Sequence, residues 1–69
     1  MEEFKLRDEF IRLGQAMKAT GFSDSGVEAK EEILAGNVLV NGETELRRGR
    51  KLYDGDTFTF EGKTVKIVK

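Results

Sequence analysis

Four basic side chains fall within five consecutive positions, Arg47-Arg48-Gly49-Arg50-Lys51, with no acid among them. A guanidinium is a planar fork of donors that matches a phosphate and can also stack on a base. Three such groups and an ammonium on a glycine-broken stretch have the makings of a phosphate clamp. The plainer alternative is a solvated charged loop, the commoner meaning of a charge run. Tyr53, the one tyrosine, follows the cluster. It can stack on a base or pack on its neighbours beside a turn.

The rest of the inventory points away from catalysis. There is no histidine and no cysteine, which removes the commonest general base, the commonest metal ligand, and any thiolate site or disulfide. Ser23 and Ser25 therefore have no histidine to activate them. Glu28, Glu31 and Glu32 lie on a short helix surface without the spacing of a metal site. No apolar run approaches the roughly 18 residues of a membrane span, and Met1-Glu2-Glu3 is not the basic start of a secretory signal. A cytoplasmic, non-enzymatic protein with no cofactor, metal or membrane is expected.

The net charge of −1 does not by itself suggest a nucleic-acid partner, but the distribution is uneven. Residues 1–36 hold 5 basic and 8 acidic side chains, a balance of −3, whereas residues 37–69 hold 7 and 5, a balance of +2. A local field matters for a partner even when the total cancels.

The elements that must carry the basic cluster can be read in order. Glu2 to Leu6 alternates, with Phe4 and Leu6 on one face, as in a short strand. Arg7-Asp8-Glu9 leads into a helix whose stripe is Phe10, Leu13, Ala16 and Met17, widened by Ile11. Gly14 costs that helix about 1 kcal/mol against alanine, which a close approach of another backbone would explain. Gly21 stops the helix, and Phe22 should fold back onto Met17. Ser25 and Glu28 have capping-box spacing, so a second helix runs about 26–35. Val27, Ala29 and Ile33 are its expected buried positions, and Gly36 ends it. Val38-Leu39-Val40 is a strand that turns at Asn41-Gly42. Glu43 to Leu46 is a weak return strand or an extended loop. Asp54-Gly55 turns, Thr57 to Phe60 alternates, Glu61-Gly62 turns again, and Lys63 to Val68 returns as a C-terminal hairpin. Phe10, Phe22, Phe58 and Phe60 are expected in the core. The fold class is α+β: two short helices on a small, mostly antiparallel, twisted sheet. The 69 residues make one domain.

Residues 12–56 resemble the S4 RNA-binding domain, the αL motif. The resemblance is carried by Arg12-Leu13, Gly21-Phe22, Ser25-Gly26-Val27-Glu28-Ala29-Lys30, Ile33, Gly36, Val38-Leu39-Val40-Asn41-Gly42 and Gly55-Asp56. The chain as a whole, 1–69, looks like the small stand-alone bacterial S4-like proteins of the YaaA/YbcJ type. The resemblance implies a non-catalytic monomer that recognises structured RNA, ribosomal or tRNA-like, through the helix pair and the adjoining loop. It implies RNA contacts from Arg12, Lys18 and Lys30 on the helices and from Arg47, Arg48, Arg50 and Lys51 in the loop. The chain departs from the family pattern at Gly26, where many members carry arginine, and at Leu39, where many carry lysine. Glu43 and Glu45 add negative charge nearby. The alternative function is a protein-interaction module, with Leu39 as anchor if exposed and the Arg47–Lys51 loop meeting an acidic partner. A ubiquitin-like sulfur carrier is excluded, since this sequence reads Ile67-Val68-Lys69 where such carriers have Gly-Gly.

Overall fold

Alternation of apolar and polar residues lays down the main sheet in a computed structural model that describes residues 1–69. Its centre is three antiparallel strands, β3 (Val38–Val40), β6 (Thr57–Phe60) and β7 (Lys63–Val68). Val40 pairs with Phe58, and Phe58 with Val65, so one apolar rung crosses all three. β1 (Glu2–Lys5) lies parallel to β7 at one edge, with Phe4 opposite Ile67. The two-residue β4 (Glu43–Thr44) is the other edge. Asn41 and Gly42 have φ of 52° and 83°, and Glu61 and Gly62 have 51° and 78°. Two successive positive values match the twist of a two-residue hairpin.

Helix α1 (Leu13–Ala19) buries Leu13, Ala16 and Met17, and helix α2 (Gly26–Leu34) buries Ala29 and Ile33. The two helices pack on one another and share a single apolar cluster with Val38, Phe58, Val65 and Ile67. Each fully buried side chain of this size stabilises the fold by about 1.5–3 kcal/mol. Removing most of one, as in Leu13→Ala, would cost about 2–5 kcal/mol. Ser25 caps α2, its hydroxyl accepting the Glu28 N–H at 3.1 Å. The return bond of a full capping box, from the Ser25 N–H to the Glu28 carboxylate, is not formed. No helix is long and apolar enough to cross a membrane.

The first helix begins later than its apolar stripe suggests. Arg7 to Glu9 form bends, and Ile11–Arg12 is a strand, β2, antiparallel to β5 (Lys51–Leu52). Pairing with a segment forty residues downstream takes Ile11 and Arg12 out of the helix, a tertiary preference that overrides local periodicity. No acid stands in the first turn of α1. Val27 is not buried but 68% exposed. As the second residue of α2 it lies on the face away from Ala29 and Ile33, which stand four apart on the packed side. Phe58 and Phe60 are buried as expected, whereas Phe10 and Phe22 are half-buried. The Phe22 ring packs on Phe58 and Phe60, with centroids 5.7 and 5.8 Å away.

Candidate nucleic-acid interface

The first N–H groups of any helix lack partners within it. In α1 they are met by the basic loop: the Leu13 N–H donates to the Arg50 carbonyl at 2.8 Å and the Gly14 N–H to the Arg48 carbonyl at 2.9 Å. Gly14 therefore does admit another backbone, since a Cβ there would stand 3.5 Å from both the carbonyl oxygen and the Cβ of Arg48. Arg12 adds a third tie, its Nη1 donating to the Gly49 carbonyl at 2.9 Å. Within the loop, the Arg50 N–H donates to the Arg47 carbonyl at 3.2 Å. The loop is thus held to the helix start by its carbonyls, which leaves its cationic side chains to point elsewhere.

Glu45 is the residue that the sequence pattern did not reveal. It is buried at 7% exposure, yet it carries a carboxylate. Arg50 Nη1 donates to its Oε1 at 2.7 Å, and Arg47 donates through Nε at 3.1 Å, Nη2 at 3.2 Å and its backbone N–H at 3.1 Å. These bonds, Arg47's side chain first and Arg50's next, hold the Glu45 carboxyl at about 2 despite the opposing effect of burial. The Glu45 bond in turn raises the Arg47 pKa. Burial of a carboxylate is tolerable only when it is paired and hydrogen-bonded in this way.

The basic residues sort into two adjoining grooves. Arg12, Lys18 and Arg48 line the first with Gly14, Gln15, Gly26 and Gly49, and no apolar side chain contributes. Arg47, Arg50, Lys51 and Tyr53 line the second, again with Gly49. Lys30 lines neither; it stands exposed on α2, one turn beyond Gly26. Phe10, expected in the core, instead underlies two cations: Lys51 Nζ is 4.8 Å and Arg12 Cζ 5.6 Å from its ring centroid. Gln15 also belongs to the site, and its Oε1 accepts the Arg12 N–H at 3.3 Å. Arginine has no acceptor with which to cap a helix, so the i, i+3 spacing of Arg12 and Gln15 is no cap signal in the sequence. Leu39 is half-buried and pairs with Thr44 on one side and Thr59 on the other, so it is not an open anchor. No cluster of three or more metal-ligating side chains occurs.

Comparison with known proteins agrees with this architecture. The model of the S4 domain family matches residues 4–68. The "Probable ribosome maturation protein RlbA" of Bacillus subtilis (strain 168) is 48% identical over 54 residues, covering 78% of this chain and 76% of that protein. YbcJ of Escherichia coli (strain K12) is 38% identical over 58 residues, covering 84% and 83%. The solution structure of YbcJ, described as revealing an αL motif involved in RNA binding, superposes with a TM-score of 0.75 at 36% identity. It covers 100% of this chain and 89% of the other. With the family model matching residues 4–68 and the superposition covering the whole chain, the chain belongs to the S4 domain family.

Proposed function

We propose that this chain binds folded RNA and catalyses no reaction on it. The observation that carries the reading is the groove of Arg12, Lys18 and Arg48, whose other walls are three glycines and a glutamine. Glycine offers no side chain to hold a sugar–phosphate backbone away, and the three cations can then reach successive phosphates. Lys51 and the outer faces of Arg47 and Arg50 extend the positive surface, with Glu45 setting the direction of the two arginines. Lys30 acts at the margin as a longer-range charge.

The relatives support this class of partner. One is named for ribosome maturation, and the structure of the other is described by an RNA-binding motif. Ribosomal RNA is accordingly the favoured target, with tRNA-like folds second. Residues 1–69 act as one unit around the 12–56 motif, as a monomer in the cytoplasm. A protein-docking role anchored on Leu39 has less support, because that side chain is half-buried between two strands.

The experiment compares a stem–loop RNA with a B-form DNA duplex of equal charge at one ionic strength. A surface fitted to RNA shape and 2′-hydroxyls should favour the RNA several-fold. Equal affinity would reduce the function to general attraction for polyanions.

A further inference from the structure

The second groove has a feature that phosphate binding does not require. Tyr53 is 47% exposed at its wall, beside Arg50 and Lys51. It is also held in place. Its N–H donates to Asp56 Oδ2 at 2.8 Å, and its carbonyl accepts the Asp56 N–H at 3.0 Å. Its ring leans on Phe10, with centroids 5.9 Å apart and planes at 51°. Phe10 is itself flanked by Lys51 and Arg12. An aromatic ring fixed on one side and open on the other gives a stacking partner little entropy to overcome.

The placement of charge around the ring suits one nucleotide. Leu52 is buried, whereas Lys51 and Tyr53 on either side of it are exposed and line the same groove. Both also reach the Phe10 ring, Lys51 Nζ at 4.8 Å and the Tyr53 ring at 5.9 Å from its centroid, so a cation and an open aromatic face adjoin in one groove. Gly49 lines both grooves, so a strand lying on Arg12, Lys18 and Arg48 can pass over it to reach Tyr53. Bases inside a helix present no open face, whereas an unpaired base does.

We infer that Tyr53 is a stacking platform for one unpaired base, with Lys51 on that nucleotide's phosphate, so that the preferred ligand is an RNA helix interrupted by an unpaired nucleotide. The inference rests on the RNA-binding reading above and adds the class of RNA to it.

Two RNAs test it: a perfectly paired duplex, and the same duplex with one unpaired adenosine. Tyr53 is the sole tyrosine and there is no tryptophan, so intrinsic fluorescence reports on this ring alone. The interrupted RNA should bind about five- to tenfold more tightly, the low end for a base on an aromatic ring, and should quench the fluorescence. Tyr53→Phe should keep the preference. Tyr53→Ser should lose it, with a circular dichroism spectrum and melting transition that show the variant folded. Equal affinity of the parent for the two RNAs, or a preference that survives Tyr53→Ser, would overturn the platform and leave the phosphate groove standing. A parent that binds neither RNA would overturn both readings.

Discussion

Arg50 Nη1 donates to Glu45 Oε1 at 2.7 Å, the shortest of the side-chain bonds that tie the basic loop to the body of the protein. Arg50 is the better shielded partner, its side chain 35% exposed against 72% for Arg47. The Glu45 pKa is lowered from 4.5 to about 2 in the folded chain. A depressed folded-state value means that the contribution is present above 4.5 and is lost as pH falls towards 2. Thermal midpoints measured from neutral pH down to about 2 should therefore drop more steeply for the parent than for Glu45→Gln. Parallel curves would mean that Glu45 does not hold the loop.

Gly14 offers a graded test of the contact between α1 and the loop. A Cβ at 3.5 Å from Arg48 is ordinary contact, so Gly14→Ala should fold as well as the parent or better, by up to about 1 kcal/mol. Gly14→Leu must either displace Arg48 or fill the groove. It should cost about 1–3 kcal/mol where it displaces the loop, and it should weaken RNA binding in either case. Denaturant midpoints and RNA titration read the two effects separately. Parent-like binding by Gly14→Leu would place the RNA elsewhere.

Gly26 lines the groove of Arg12, Lys18 and Arg48, and nothing stands within 4 Å of a Cβ built there. Gly26→Arg adds a fourth cation to Arg12, Lys18 and Arg48. The propensity gain of about 0.5–1 kcal/mol, smaller at a helix end, opposes a helix-dipole cost of about 0.3–1 kcal/mol. Stability should barely move, and affinity for structured RNA should rise several-fold with a steeper salt dependence. The corresponding change at Leu39 is a poorer test, because that side chain is half-buried. A folded Gly26→Arg variant with no gain in affinity would remove this groove from the interface.

Ser25 supplies the only side-chain bond at the start of α2, the element that carries Gly26 and Lys30. Ser25→Ala should cost about 1 kcal/mol, read as a lowered denaturation midpoint. An unchanged midpoint would mean that the 3.1 Å bond to the Glu28 N–H contributes nothing net.

What could be read from the sequence was what local chemistry decides. Period-two alternation puts Phe58 and Phe60 in the core, and both are buried, together with Val38, Val40, Val65 and Ile67 of the neighbouring strands. Asn41-Gly42, Gly21 and Gly36 turn where a positive φ is needed. The errors lie where a distant segment decides. Phe10 and Ile11 fit the helical stripe of Leu13, Ala16 and Met17, but Ile11 pairs with Leu52, a partner that no local window contains. The parallel pairing of β1 with β7 joins the two ends of the chain in the same way. Glu45 looked like one more surface acid. Its burial depends on Arg47 and Arg50 curling back, which composition alone cannot indicate. The basic cluster was legible as charge, but its division into two grooves that meet at Gly49 was not.

The most direct test of RNA binding through the Arg12–Lys18–Arg48 groove is the salt dependence of affinity for one folded RNA. Each cation that neutralises a phosphate contributes about 0.7–0.9 to the slope of log affinity against log salt. Lys18→Ala and Arg48→Ala should each flatten the parent's slope by about that amount, and the double variant by about twice as much. The losses should be alike for RNAs of different sequence, because phosphates carry no sequence information. Folded variants whose slopes equal the parent's would contradict the account.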